Sequence, residues 1–122
     1  MKKAMKLPKS IETYIRAVNA HDADAFQSSF VRDAVVNDVG REIRGIVAIK
    51  EWANQEIFAV NVTLDVMQVA EHNGQTIVTV KTDGTFDRAG LPDPLLMDHC
   101  FTLTGDKISA LTCRLAAKTP SV

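Results

Sequence analysis

The sequence predicts an α+β fold in which helices come first and a mostly antiparallel sheet follows. Three helical periodicities lie between residues 9 and 58, and four long β-rich runs lie between residues 60 and 115. Asn73-Gly74 and Gly105-Asp106 join these runs in pairs, which is typical of tight β-hairpins. A long curved sheet with helices across its open side leaves a central pocket between the two layers.

The composition indicates one domain covering residues 1–122, since the chain has 122 residues of which 46% are hydrophobic. A net charge of −1 offers no large basic field, so we expect no nucleic-acid partner. The basic cluster of Lys2, Lys3, Lys6 and Lys9 is interpreted as part of a flexible tail over residues 1–9 rather than a contact with an acidic partner. No long apolar run follows these lysines, which argues against a signal peptide and against a membrane span.

The cysteines and histidines predict chemistry without metal. Cys100 and Cys113 both lie in predicted strands and indicate buried, reduced thiols, hence a cytoplasmic location. His21, His72 and His99 are scattered along the chain, and no two stand at metal-ligand spacing. We therefore predict no metal site.

The first helix is predicted over residues 9–21, with Ser10 as its cap. One apolar face recurs at helical spacing and comprises Ile11, Tyr14, Ile15 and Val18. This face points Tyr14 inward, where its hydroxyl needs a hydrogen-bond partner. The helix pattern alone favours a core tyrosine bonded to a backbone carbonyl.

A second, short helix follows with Asp22 as its cap and Phe26 and Phe30 on its apolar face. Residues 34–39 then form a short strand that ends at Gly40, and Asp38 closes its β-branched run. Asp38 has two interpretations, a turn aspartate that faces water or a base at the rim of a pocket. The strand pattern favours the first.

The third helix is predicted from Ile46 to Phe58 and carries Trp52 on its apolar face. Strands over 60–70 and 76–86 form the first hairpin, and a loop over 87–94 leads to the second hairpin. Trp52 is expected either to pack in the core or to line a ligand wall.

The closing hairpin holds the candidate acid. If Gly105 and Asp106 are its two loop residues, Asp98 lies opposite Cys113, and Cys100 lies opposite Leu111. A carboxyl group among such neighbours resists ionisation, so its pKa rises, and a neutral carboxylic acid can donate a hydrogen bond. The same register makes the two cysteines diagonal neighbours, where a disulfide would be strained.

Both faces of this hairpin carry apolar side chains, and helices can cover only one of them. The other face would be a large exposed apolar patch, so we predict a homodimer through the sheet. Alternation does not decide which face is internal. If the face of Met97 is inside, Asp98 is a solvated strand residue.

Several stretches resemble the NTF2-like superfamily, with the closest similarity to ketosteroid isomerases and SnoaL-like proteins. They are residues 14–22, 33–38, 45–49 and 97–99 with 105–108, and the resemblance covers roughly residues 10 to 115. It implies a cone of strongly curved sheet, covered by three N-terminal helices, and often a dimer.

The ketosteroid isomerase pattern has a tyrosine in the first helix, an aspartate ending the first strand and an aspartate before a histidine in a late strand. Tyr14, Asp38 and Asp98 stand at these places. The resemblance implies allylic isomerisation of a small hydrophobic carbonyl compound, without cofactor or metal. Asp38 would move the proton, while Tyr14 and neutral Asp98 would bond to the enolate oxygen.

The apolar wall of the pocket is predicted to comprise Phe30, Trp52, Val66, Val80, Phe86, Leu111 and Leu115. Two positions depart from the steroid isomerases, since the third helix has no second tyrosine and Val39 follows Asp38 where a proline is usual. A SnoaL-like cyclase, dehydratase or hydrolase with the same acid/base set is the alternative, and a non-catalytic ligand-binding dimer is another.

Overall fold

The computed structural model describes residues 7–87 and 89–116, and its elements follow the predicted α+β order. The helices and strands are α1 (Lys9–Ala20), α2 (Ala23–Ser28), β1 (Phe30–Asp38), β2 (Arg41–Arg44), α3 (Ile46–Ala53), a π-helical segment (Asn54–Phe58), β3 (Thr63–His72), β4 (Gln75–Asp83), β5 (Leu96–Thr104) and β6 (Lys107–Leu115). Lys2, Lys3 and Lys6 of the predicted tail lie outside the described residues, while Lys9 opens α1. No helix in the described ranges is long and apolar enough to cross a membrane.

One six-stranded sheet has the order β2-β1-β6-β5-β4-β3. Neighbouring strands are antiparallel except β1 and β6, which run parallel. Sequence patterns did not predict strand β2 or this parallel pair. The pairing places Asp38, at the end of β1, beside Cys113 of β6, so the first strand delivers its terminal carboxylate to the middle of the sheet.

The helices cover one face of the sheet through the apolar residues that periodicity identified. Ile11, Tyr14 and Val18 of α1 are buried, and so are Ile49 and Trp52 of α3. Burial of a side chain of this size stabilises the fold by roughly 1.5–3 kcal/mol, so these faces fix the helices on the sheet.

The helix caps agree with the prediction at α2 and not at α1. The Asp22 carboxylate accepts a hydrogen bond from the backbone N–H of Ala25, 3.1 Å away. Ser10 was expected to cap α1, but the helix starts one residue earlier at Lys9, with Pro8 at the cap position. Ser10 therefore lies inside the first turn, where it is buried.

A β-bulge in the closing hairpin changes its register. Thr104 pairs with Lys107 as the turn predicts, but Thr102 pairs with Ala110, so Ser109 is an extra residue. Every later pair shifts by one, which exchanges the two faces of β6 relative to β5. The expected pairs of Asp98 with Cys113 and of Cys100 with Leu111 are therefore wrong.

Burial of the side chains in the corrected register shows which face of the hairpin is internal. Cys113 pairs with His99, Leu111 pairs with Phe101, and these four side chains are buried. Cys100 lies on the opposite face, because successive strand residues alternate. Both cysteines are buried free thiols, but they are not neighbours on one face as predicted.

A second bulge interrupts β3. Val66 pairs with Val80, and Gln68 pairs with Thr79, so Met67 is extra and its side chain is 50% exposed. The alternation predicted over 60–70 therefore ends at Val66. Val69 instead packs against the core.

Candidate active site

A cavity of about 100 Å³ lies between the helices and the inner face of the sheet. Its lining comprises Tyr14, Val18, Asp38, Trp52, Glu56, Ile57, Val62, Leu64, Thr82, Met97, His99 and Cys113. Tyr14, Asp38 and Trp52 therefore line one cavity.

Tyr14 and His99 form a buried hydrogen-bonded pair in this lining. The phenol oxygen of Tyr14 lies 3.1 Å from Nδ1 of His99. The rings of Phe26 and Phe101 pack on the tyrosine ring, with centroids 5.4 and 5.2 Å away. Burial, with smaller effects of Cys113 and Asp38, raises the pKa of Tyr14 well above its ordinary value, so the phenol keeps its proton at neutral pH.

His99 is a neutral imidazole in this environment. Burial lowers its pKa to about 4, although the negative charges of Asp38 and Asp98 oppose that shift. A neutral imidazole has one donor and one acceptor nitrogen. The tautomer that donates Nδ1–H to the phenol oxygen leaves the phenol O–H free to donate into the cavity.

Asp38 is held at the mouth by two donors that bond the same oxygen. Its Oδ2 accepts hydrogen bonds from Trp52 Nε1 at 3.1 Å and from Arg41 Nη2 at 3.2 Å. The Asp38 side chain is 22% exposed, so it borders both the cavity and the solvent. Neither donor bonds Oδ1, which is therefore the oxygen that we expect to accept a proton.

Arg41 also connects the two carboxylates of the mouth. Its Nη2 lies 2.7 Å from Glu56 Oε2, and this hydrogen bond is the main cause of the raised pKa of Arg41. Such an exposed ion pair contributes at most about 1 kcal/mol to stability. These charges also act on ligands. The two carboxylates of Asp38 and Glu56 and the one guanidinium of Arg41 give the mouth of the cavity one net negative charge.

Asp98 does not join this group, so the predicted triad is wrong at that position. Its Oδ1 accepts a hydrogen bond from Thr79 Oγ1 at 2.6 Å, and Arg114 Nε lies 4.0 Å from its Oδ2. Because of the bulge at Ser109, Asp98 pairs with Arg114, while Cys113 of the cavity lining pairs with His99. The next residue, His99, occupies the inner position instead.

Six of the seven predicted wall residues lie outside the cavity lining. Phe30, Val80 and Leu111 are buried in the core, Val66 and Phe86 pack against it, and Leu115 is 45% exposed. The rings of Phe26, Phe30 and Phe101 pack around the ring of Tyr14 and occupy part of the space between the layers. This packing keeps the cavity small.

The sequence does contain a signal for His99. Met97, His99 and Phe101 form a face bounded by two large apolar residues, whereas Asp98 shares its face with Thr102. A histidine between such neighbours points to a buried polar group that needs a partner. Thr82 and Cys113 carry no comparable signal, because their place in the lining depends on strand pairing.

A family model described as a SnoaL-like domain matches residues 11–111. Among curated proteins, none has a sequence that matches this chain. A solved structure of a candidate polyketide cyclase from Sinorhizobium meliloti is 26% identical, covers 93% of this chain and 100% of its own, and has a TM-score of 0.81.

Two other solved structures share the fold at lower identity. A protein from Catenulispora acidiphila with a ketosteroid isomerase-like fold, in complex with trimethylamine, is 17% identical, covers 91% of this chain and 88% of its own, and has a TM-score of 0.74. A Mycobacterium tuberculosis protein in complex with estradiol-17β-hemisuccinate is 14% identical, covers 88% and 92%, and has a TM-score of 0.74.

Proposed function

The chain belongs to the SnoaL-like domain family, within the NTF2-like superfamily that its sequence resembles, and we propose that it transfers a proton at a carbon atom next to a carbonyl group. The single observation that carries this proposal is the common cavity of Asp38, Tyr14 and His99. This proton transfer is the first step of ketosteroid-isomerase-like allylic isomerisation. It is equally the first step of an aldol-type cyclisation.

Asp38 is the base in this proposal. Its Oδ1 takes the proton from the carbon, and the electron pair of the broken C–H bond moves into the carbonyl group to give an enolate. Trp52 and Arg41 hold the other oxygen, so the carboxylate keeps its orientation while it becomes protonated. In allylic isomerisation the same proton returns at the γ-carbon, and Asp38 is ionised again.

Tyr14 stabilises the enolate. Its raised pKa keeps the proton on the phenol, and the phenol O–H donates to the oxygen on which charge develops. Neutral His99 is a positioning residue, because it bonds the phenol oxygen through Nδ1. His99 thus supports the phenol, whereas the resemblance implied that Asp98 would itself be a second donor to the enolate oxygen.

The ligand is proposed to be a small hydrophobic carbonyl compound. The relative in complex with a steroid derivative and the candidate polyketide cyclase both support a hydrophobic ligand. Pockets for drug-sized ligands measure about 300–1,000 Å³. The cavity of about 100 Å³ favours a single ring over a fused-ring steroid.

The small cavity also favours the second candidate function, a SnoaL-like cyclase, dehydratase or hydrolase that uses the same acid/base set. The similarity to the candidate polyketide cyclase supports this alternative. A non-catalytic binding module is less well supported, because Asp38 lines the cavity instead of pointing wholly into solvent.

Isomerisation of 3-cyclohexenone to 2-cyclohexenone, followed by the absorbance of the conjugated enone, tests the proposal. We expect the Asp38→Asn variant to lose activity by at least about a hundredfold, since a general base contributes 10²–10⁴. Asp98→Asn is the matched control on the other face of the sheet and should retain activity. No absorbance rise would refute isomerase activity, and equal rates in wild type and Asp38→Asn would refute Asp38 as its base.

We also propose a homodimer through the outer face of the sheet, on which Ile77, Cys100 and Ala110 lie. Sedimentation at micromolar concentration tests it, and a monomeric mass would contradict it. The cytoplasmic location remains a prediction from the reduced thiols.

A further inference from the structure

Thr82 carries an unsatisfied hydroxyl in the cavity lining. This residue of β4 pairs with Leu64, and its backbone N–H donates to the carbonyl of Leu95 at 2.8 Å. Thr82 lines the cavity and is only 8% exposed. Within residues 7–87 and 89–116, the buried Oγ1 has no hydrogen-bond partner.

This hydroxyl differs from the other oxygen-bearing side chains of the cavity. Tyr14 bonds His99, Asp38 bonds Trp52 and Arg41, and Glu56 bonds Arg41. Ser10 has the other buried hydroxyl without a partner in the described ranges, but Ser10 is not part of the cavity lining. Buried polar groups are normally hydrogen-bonded, so an unpaired hydroxyl on a residue that lines a cavity indicates a contact that a ligand completes.

We infer that Thr82 binds a second oxygen atom of the substrate, apart from the carbonyl oxygen that Tyr14 receives. The inference deepens the proposed function and rests on it for the identity of the first oxygen. A hydroxyl can both donate and accept, so Thr82 accommodates a hydroxyl or a second carbonyl group.

Size and charge limit the substrate class further. An engineered cavity of roughly 150 Å³ binds benzene, so a cavity of about 100 Å³ holds one ring or a short chain. The net negative charge of Asp38, Glu56 and Arg41 at the mouth disfavours anions. The substrate class is therefore a small, uncharged carbonyl compound with a second oxygen function.

A site that hydrogen-bonds a hydroxyl discriminates against the analogue without it, because the protein group then stays unpaired. The test uses cyclohexanone, 3-hydroxycyclohexanone and 4-hydroxycyclohexanone as probes, with binding to the full chain measured by NMR titration. We expect wild type to bind at least one hydroxylated probe about fivefold more tightly than cyclohexanone.

Variants assign that preference to Thr82. Thr82→Val should abolish the preference while leaving cyclohexanone binding unchanged, and Thr82→Ser should retain it. Thr112→Val, the same substitution on the outer face of β6, is the matched control and should bind like wild type. Thr82→Val removes an unpaired buried hydroxyl at almost constant shape, so its melting temperature should not fall.

Three outcomes would overturn the inference: equal affinity of wild type for all three probes, equal losses for all probes in Thr82→Val, or no binding of any probe. The result is separable from the proposed function. If Asp38→Asn keeps the hydroxyl preference and wild type moves no proton, the proposed function fails and the Thr82 contact stands. If wild type moves the proton without any preference, only the Thr82 inference fails.

Discussion

The phenol oxygen of Tyr14 lies 3.1 Å from Nδ1 of His99, a residue 85 positions further along the chain. Both side chains are buried, one in the first helix and one in the fifth strand. Loss of either partner leaves a polar group without its hydrogen bond in an apolar environment. A change in either residue is therefore expected to affect both the stability of the fold and the geometry of the cavity.

The first prediction concerns the coupling between these two residues. Tyr14→Phe and His99→Phe should each lower the free energy of unfolding, by about 1–3 kcal/mol where a buried group is left unpaired. The double variant should be less unstable than the sum of the two, by about 1 kcal/mol, because it leaves neither group unpaired. Urea denaturation measures all three, and strictly additive losses would argue against the hydrogen bond.

The second prediction is a pH dependence due to His99. Its folded pKa of about 4 lies below the unfolded value of 6.5, so the unfolded state binds more protons between these values. Stability contributed by the neutral imidazole is complete above about pH 6.5 and falls as the pH drops toward 4, by up to roughly 3 kcal/mol.

Urea denaturation at pH 7 and pH 4.5 measures this loss, with His99→Asn as the control that removes the titrating group. The variant should lose less stability over the same interval. An imidazole of His99 that titrates near pH 6.5 in NMR spectra would contradict the prediction.

The third prediction concerns Trp52 as a positioning residue for Asp38. Trp52→Phe keeps an aromatic ring and removes the indole N–H that bonds Oδ2. We expect kcat for 3-cyclohexenone to fall about tenfold with little change in KM, since the base is less well oriented. A rise in KM at constant kcat would instead assign Trp52 to substrate binding.

The fourth prediction is that side-chain volume limits the ligand. Met97 lines the cavity, and Met97→Ala should let the protein bind the two-ring ketone 2-decalone, at least about tenfold more tightly than wild type does. Met67→Ala is the matched control, because Met67 lies at the exposed bulge of β3. Equal 2-decalone affinity in wild type and both variants would contradict the size limit.

Periodicity predicted the elements well because local patterns decide them. The helix of Tyr14 and the hairpin turn at Gly105-Asp106 follow from spacing and turn chemistry within a few residues. The inward direction of Tyr14 followed for the same reason. Asp38 reached the cavity through a parallel pairing with β6 that no local pattern encodes.

Local sequence patterns did not decide whether Asp98 or His99 faces the cavity. A single extra residue at Ser109 exchanges the faces of β6 relative to β5, and neither the turn nor the alternation predicts it. The predicted set of wall residues was wrong for a related reason. The extent of the cavity depends on how Phe26 and Phe101 pack around Tyr14, and these residues are far apart in the chain. The resemblance pointed to Asp98, whereas the next residue along the strand, His99, lines the cavity.

The most direct measurement of the central claim is deuterium incorporation next to the carbonyl of cyclohexanone in D₂O, followed by ¹H NMR. Wild type and Asp98→Asn should incorporate deuterium at similar rates, and Asp38→Asn should be slower by at least about a hundredfold. Tyr14→Phe should be slower by about ten- to a hundredfold, because the enolate oxygen loses its donor. Undiminished exchange in Asp38→Asn, or an equal loss in Asp98→Asn, would contradict the assignment of base and oxyanion donor.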